Sequence, residues 1–473
     1  MPLEIPEFQE QLQRCLAAQR QAYFDDPVPS YAQRRQDLLA LERFVRDHTE
    51  AICAAISADY GHRSRHETQL AEIFPALEAI KHSLKQLRRW MRPQRRKIDR
   101  LSFGLASNRL VPQPLGVVGV IVPWNFPLNL SIVPLAAIFA AGNRAMVKMS
   151  ENSRHLARLM REQLPRYFSS TKLQVFDETG GVGVEFSKLR FDHLLFTGSG
   201  NTGRAVMAAA AANLCPVTLE LGGKAPAVVC EDYPIATAVQ RILQVKCLNA
   251  GQICTSVDHV FVPERAVDAF VREAQALVPR LYPSLASPDY TAIIDQRAFD
   301  RLVGAMEEAV SKGGRLVPLL SGPSMDPLSR KIAPHLLLNA PPDCELMRRE
   351  IFGPILPVLP FRKLDDVVQS VNAGPRPLAL YPFSHRREVQ QQLIDRVMSG
   401  GVSINDALYH VAQHDLPFGG VGESGMGHYH GIEGFQTFSK LRPVFHQSRW
   451  SALSLLAPPY GPTAERLLRF MTR

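Results

Sequence analysis

The chain has 473 residues, 46% hydrophobic and 21% charged, an ordinary globular composition that excludes a disordered, collagen-like or disulfide-scaffold protein. That length exceeds what one hydrophobic core supports, so two or more domains are expected. The net charge of +9 raises a nucleic-acid reading, most directly through LRRWMRPQRRKIDR at 87–100. No recognised nucleic-acid module surrounds that stretch, so it is read as a solvated linker after a helix, broken at Pro93.

The amino terminus, MPLEIPEFQEQLQRCLAAQRQAYFDD, has no basic segment followed by an apolar run and fails as a secretory signal, so a cytoplasmic protein is expected. In QDLLALERFVRDHTEAICAAISADYG, Leu38, Leu41, Val45, Ile52 and Ile56 fall on one helical face and Gly61 supplies a stop. A second helix is predicted from Glu67 to Trp90, with Leu70, Ile73, Phe74, Leu77, Ile80, Leu84 and Leu87 as its apolar stripe. From about 115, β-rich runs alternate with helical stretches: LGVVGVIV, SIVPLAAIFAAG, RAMVKMS, HLARLMREQL, LQVFDE, FDHLLFTG and GRAVMAAAAANL. This alternation implies parallel βαβ units and an α/β doubly wound sheet. A second α/β block begins near PAVVCED at 226–232 and runs past 400. The apolar runs, including LIDRVMSGGVS and SALSLLAPPYGP, fall short of the roughly 18 residues that suggest a membrane span, so no transmembrane helix is expected.

The seven cysteines, Cys15, Cys53, Cys215, Cys230, Cys247, Cys254 and Cys344, are scattered and contain no CxxC pair. The usual zinc spacings and a disulfide framework are both disfavoured. His428 and His430 in GHYHG show no ligand spacing, and no metal is expected. One thiol with a chemical role among packing thiols stays open, with NAGQICTS at 249–256 setting Cys254 among small and polar neighbours.

GSGNTG, residues 198–203, follows the predicted strand HLLF and opens a predicted helix, so its glycines permit a tight turn with a helix amino terminus facing a pyrophosphate. The dinucleotide pattern looks for a ribose-binding acid about 20 residues further on, and Glu220 in TLELGGK stands near that place.

VPWNFPLN at 122–129, VTLELGGK at 217–224, GQICTS at 251–256 and EIFGPILPV at 350–358 together resemble the aldehyde dehydrogenase superfamily, as does PFGGVGESGMGHYHGIEGFQTFSK at 417–440. The resemblance spans about 30–445, and QPLGVVGVIVPWNFP and NRAMVKMSENS look most like its coniferyl aldehyde dehydrogenase branch, related to the class 3 enzymes. It implies that Cys254 is the nucleophile, Asn125 and the Cys254 backbone N–H the oxyanion donors, and Glu220 the general base and not a ribose ligand. Glu151, with Lys148 beside it, matches the ribose-binding position, and Glu350 and Phe352 match the pair that positions the nicotinamide. Trp124, Ser150, Gly198, Ser199, Gly203 and Leu221 complete the implied cofactor set. The sequence departs from the family at Arg349, commonly an acid, and at Gly200, commonly Thr.

The resemblance implies a Rossmann-type cofactor domain over 1–94 and 115–224, a catalytic domain over 225–425, and a bridging arm and tail over 95–114 and 426–473 supporting a homodimer. It also implies oxidation of an aldehyde, coniferaldehyde or another aromatic one, to the acid with NAD, or NADP. Two other readings are a CoA-acylating dehydrogenase, which Glu220 argues against, and a non-catalytic nucleic-acid binder on this fold.

Overall fold

A computed structural model describes residues 5–177, 182–449, 451 and 455–472. Parts of SALSLLAPPYGP and of the arm expected over 426–473 lie outside the described residues.

The run expected to form one helix is two, Tyr31–Asp47 and Thr49–Tyr60, with His48 closing the first and opening the second. The five residues assigned to its apolar face are all buried, and Gly61 ends it at φ 78°. The following run, Arg65–Trp90, is interrupted by a π turn at Gln69–Ile73. One extra residue in that turn shifts the helical phase. Ile73, Ile80 and Leu87 are buried and Leu77 and Leu84 half-buried, but Leu70 and Phe74 are 63% and 59% exposed, which corrects the expected stripe. Glu67 and Glu72 turn inward in their place.

The expected linker at 87–100 is also corrected. Leu87 and Trp90 belong to the core, and the Arg88 guanidinium lies 5.1 Å above the Tyr31 ring. Gln94–Arg96 forms strand β1, paired antiparallel with β2 (Ser107–Pro114), so ladder hydrogen bonds hold it.

Five parallel strands follow: β3 (Val117–Ile121), β4 (Arg144–Lys148), β5 (Leu173–Phe176), β6 (His193–Gly198) and β7 (Val217–Leu221). β3 is buried along its whole length, as its unbroken apolar sequence VVGVI requires of a strand covered on both faces. The second sheet takes β8 (Pro226–Val229), β9 (His259–Pro263) and β10 (Arg315–Pro318). A two-stranded ribbon, β11 (Met325–Asp326) and β12 (Lys331–Ile332), stands apart. β13 (His335–Leu338), β14 (Ile355–Phe361), β15 (Ala379–Phe383) and β16 (Gly401–Val402) complete the second sheet in the order β10-β13-β14-β9-β8-β15-β16, parallel except for β10. Late in the chain, β17 (Gly425–Met426) returns to pair antiparallel with β7, giving the first sheet the order β17-β7-β6-β3-β4-β5. β18 (Ser439–His446) joins β2 over its full length, so a three-stranded sheet combines residues 94–114 with a strand more than three hundred residues later.

Against the first sheet packs the helix Asn129–Ala141, which is apolar all round and buried from Leu130 to Ala141. Such a helix, buried at its end, must find donors other than water for its last carbonyls. Buried Arg34 does this, donating to Ala140 O at 3.1 Å and Ala141 O at 2.8 Å, and to Pro29 O at 2.9 Å. Among the described residues no helix is long and apolar enough to cross a membrane.

Truncating Arg34 to Ala would strand two buried carbonyls at the helix end. The expected cost is about 3–6 kcal/mol, since each lost hydrogen bond to a charged donor is worth roughly 1.5–3. Urea denaturation followed by fluorescence would show a lower midpoint, and Arg34→Lys would recover only part, lacking the planar fork.

Candidate active site

In the order β5-β4-β3-β6-β7 the chain reverses direction between β3 and β6, and a doubly wound sheet opens a crevice at the carboxyl ends of such strands. Sequence alone places Trp124 and Asn125 just after β3, Ser150 and Glu151 just after β4, Ser199 just after β6, and Glu220 and Leu221 at the end of β7. The structure therefore brings together at one mouth what the sequence spreads over a hundred positions. Lys148 and Ser150 are buried there, and the Ser150 hydroxyl donates to Glu151 at 3.2 Å. Ser199 caps the helix Gly200–Ala211, accepting from Thr202 N at 3.3 Å, so that helix presents its amino terminus to the crevice.

The glycines in this region are explained by contact. A Cβ on Gly203 would come 2.7 Å from Leu221 Cδ2, and one on Gly222 would come 2.0 Å from Glu350 Oε2. Gly200, by contrast, would meet only Arg204 Nη1 at 3.7 Å, so the departure from Thr there leaves the turn intact.

Cys254 is half-buried and follows a turn in which Asn249, Ala250 and Gly251 all have left-handed backbone, at φ 51°, 50° and 74°. Two of these are not glycine, and each costs roughly 1–3 kcal/mol unless its surroundings hold it. Here Asn249 N donates to Glu67 at 3.1 Å, and Asn249 Nδ2 donates to Gln252 O at 3.1 Å. The Gln252 side chain in turn donates to Asn249 O at 2.9 Å and Ala292 O at 3.0 Å, and accepts from Ile294 N at 3.0 Å. Tyr381 donates its hydroxyl to Thr255 O. Asn125 Nδ2 donates to Gln252 O at 3.3 Å, which joins the candidate oxyanion donor to the cysteine loop.

Burial pushes the Cys254 thiol up to about 12, and the negative fields of Glu350 and Glu220 add to the rise; backbone N–H groups of Cys254 and Thr255 oppose it. Glu220 is buried, its carboxyl raised well above the ordinary range by desolvation, and neither oxygen has a hydrogen-bond partner. Glu350 is pushed up to about 8 by burial and by Asp258, against the opposing pull of Gly223 N, Lys224 and Arg301.

The turn carrying Glu350 and Phe352 is tied down from beneath. Lys224 Nζ donates to Asp258, to Leu346 O at 2.9 Å and to Arg349 O at 3.0 Å, while Asp258 accepts Ile351 N at 2.9 Å. Burial would raise Asp258, yet Lys224, His259 and Lys246 hold it far below the usual carboxylate range. Phe352, at φ 49°, packs edge-on to Trp124 with ring centroids 5.4 Å apart. Arg349 contributes its carbonyl to this arrangement, while its side chain is 65% exposed, so the change from an acid alters charge outside the turn. His428 is exposed and His430 stacks on Phe418, with burial pushing His430 down to about 3.

Sequence reading missed Tyr60, Arg63, Glu67, Glu72, Asn249, Gln252, Lys224, Asp258 and Tyr381, all of which brace these loops. One signal was present: GHRSRHETQLAE puts charges where an apolar stripe should run. The crevice also fits a dinucleotide, with a capped helix amino terminus, closely packed glycines at 203 and 222, and Glu350 Oε1 sealed from water without a partner.

Residues 8–444 match the aldehyde dehydrogenase family. A Pseudomonas aeruginosa protein named probable coniferyl aldehyde dehydrogenase is 49% identical over 97% of this chain and 95% of its own. A rat protein named aldehyde dehydrogenase, dimeric NADP-preferring, is 37% identical over 91% of this chain and 93% of its own. A solved structure of the substrate-bound state of Staphylococcus aureus AldH superposes with a TM-score of 0.92 at 32% identity, covering 97% of this chain and 99% of that one. The chain belongs to the aldehyde dehydrogenase family, NAD(P)-dependent oxidoreductases that convert aldehydes to acids.

Two outcomes follow from the loop and its electrostatics. Gly251→Ala would force a side chain to 2.3 Å from Gly353 O at φ 74°, so turnover is expected to drop about a hundredfold or more, read by steady-state NAD(P)H formation. In cofactor-free protein the raised thiol remains neutral below about pH 12, so alkylation of Cys254 by iodoacetamide should climb about tenfold per pH unit from 8 to 10. A plateau near 8.5 would show that burial does not control the thiol.

Proposed function

We propose that this chain oxidises an aromatic aldehyde of the coniferaldehyde type to its acid with NAD(P), using Cys254 as nucleophile, Asn125 as oxyanion donor and Glu220 as general base. The observation that carries this reading is the Glu220 carboxyl, buried with neither oxygen hydrogen-bonded and with its field reaching the Cys254 thiol. A buried carboxyl with no partner is costly, and such groups concentrate where chemistry uses them.

Cys254 gives its proton to Glu220, which later releases it to solvent, and the sulfur adds as thiolate to the aldehyde carbon, so that a thiohemiacetal oxyanion develops. Asn125 Nδ2 has a second N–H beyond the one given to Gln252 O, and that hydrogen and the Cys254 backbone N–H stabilise the oxyanion. A bound nicotinamide supplies the acceptor for the hydride that leaves this carbon. The resulting thioester is opened by water whose proton passes to Glu220, releasing the acid and restoring the thiol. A base buried beside the thioester favours water over an incoming thiol such as CoA.

Glu350 and Phe352 would position the nicotinamide end, and Trp124, Lys148, Ser150, Glu151, Gly198, Ser199, Gly203 and Leu221 the remainder of the dinucleotide. A carboxylate at Glu151 favours the free 2′-hydroxyl of NAD over a 2′-phosphate. The aromatic substrate class is supported by the Pseudomonas aeruginosa relative's name. We assign 1–94 and 115–224 to cofactor binding, 225–425 to catalysis, and 95–114 with 426–473 to an arm that pairs two copies. Exposed Leu105 and Phe445 around that arm's sheet, and the rat relative named dimeric, support a homodimer. A nucleophilic thiol needs a reducing compartment, which supports a cytoplasmic setting.

Cys254→Ala should abolish NAD(P)H formation from coniferaldehyde and benzaldehyde, and Asn125→Ala should lower kcat about a hundredfold or more. Glu220→Gln should give a first-turnover burst followed by slow release of acid. Retained turnover in Cys254→Ala would sink the mechanism, and a tenfold preference for medium-chain aliphatic aldehydes would sink the substrate class alone.

A further inference from the structure

Arg63 is fully buried, yet its guanidinium is under-used as a hydrogen-bond donor. Nη1 donates to Asn125 O at 3.0 Å and to Glu72 Oε1 at 2.8 Å, while Nε and Nη2 have no hydrogen-bond partner. The planar cation lies 5.1 Å from the Tyr60 ring centroid and 4.8 Å from that of Phe126. Glu72 spends its other oxygen on the backbone, accepting Leu128 N at 2.8 Å and Asn129 N at 2.9 Å. The pair thus grips residues 125–129 at both ends. A buried ion pair is a poor source of net stability, so its use here calls for a geometric reason.

That reason is the crowding at the Asn125 carbonyl. It accepts from Tyr60 Oη at 2.9 Å, Arg63 Nη1 at 3.0 Å and Asn249 Nδ2 at 3.4 Å, more donors than its two lone pairs need. The same Asn249 amide reaches Gln252 O, to which Asn125 Nδ2 also donates. Fixing the peptide of Asn125 therefore fixes the direction of its side-chain amide relative to the cysteine loop. The π turn at Gln69–Ile73 is what rotates Glu72 into this position.

We propose that Arg63, with Glu72, is a positioning residue that aims the Asn125 amide at the oxyanion. This rests on the reading of Asn125 as oxyanion donor. A displacement of such a donor by a fraction of an ångström weakens stabilisation of the developing charge without changing how substrate is held.

The test uses full-length holoenzyme and measures first-turnover NAD(P)H formation for Arg63→Gln, Arg63→Lys and Glu72→Gln, each also combined with Asn125→Ala. Arg63→Gln is expected to slow the first turnover about thirtyfold with KM nearly unchanged, and Arg63→Lys to recover part of that loss. In cofactor-free samples, iodoacetamide alkylation of Cys254, which forms no oxyanion, should keep its wild-type rate. On the Asn125→Ala background the Arg63→Gln effect should shrink to about twofold, because the group being aimed is gone. An undiminished effect on that background, or an equal loss of alkylation rate, would mean that Arg63 serves only to hold the loop and would overturn the proposal. Should Arg63→Gln fail to fold, Arg63→Lys and Glu72→Gln carry the same comparison. Full activity in Asn125→Ala alone would instead remove the oxyanion reading itself, a separate failure.

Discussion

Three consecutive left-handed residues, Asn249, Ala250 and Gly251, bring the chain round so that Cys254 stands at the mouth of the first sheet. A side-chain-bearing backbone does not stay in that conformation unaided. Every donor on Asn249 is used to hold it: the backbone N–H goes to Glu67, and the amide to Tyr60, Asn125 O and Gln252 O. Glu67 is itself fixed by the Thr291 hydroxyl, and Gln252 reaches Ala292 and Ile294. The Cys254 loop thus depends on residues from the amino-terminal helices, the first sheet and the second α/β block at once.

Two buried ion pairs organise what surrounds that loop. Arg63 and Glu72 grip 125–129, and Lys224 and Asp258 grip 346–351. Each carboxylate of these pairs gives one oxygen to the cation and the other to backbone N–H, so charge is converted into backbone geometry. Neither arrangement needs the side chain of Arg349 or a particular residue at 200. This is why those departures leave the pocket in place, Arg349 extending outward and Gly200 facing open space.

The parts legible in the sequence are those that act through short contiguous segments. VPWNFP, TLELGGK, GQICTS and EIFGP each supply a strand end or turn together with its polar or reactive group, so their order in the sequence singled out Cys254, Glu220, Asn125, Glu350 and Phe352 as the candidates for this mouth. The alternation of apolar runs likewise carried the parallel sheets. Illegible were features set by phase and long-range pairing. One residue inserted by the π turn moves Leu70 and Phe74 to the surface and Glu72 to the interior, which a constant period of 3.6 cannot anticipate. The segment 87–100 looks like a linker because a three-residue strand needs β2 and, through it, β18 from the far end of the chain.

Electrostatics decide how such a site can work. Desolvation raises Cys254 to about 12, Glu350 to about 8, and Glu220 well above its ordinary range. At neutral pH the thiol therefore rests uncharged, and the same desolvation shifts both carboxyls toward their protonated form. Ionising either carboxyl raises the thiol further, since both fields act on it. Negative charge on the sulfur is therefore least favoured while either carboxyl is ionised. A thiolate is then available when the proton moves from sulfur to a carboxylate, leaving the total charge unchanged.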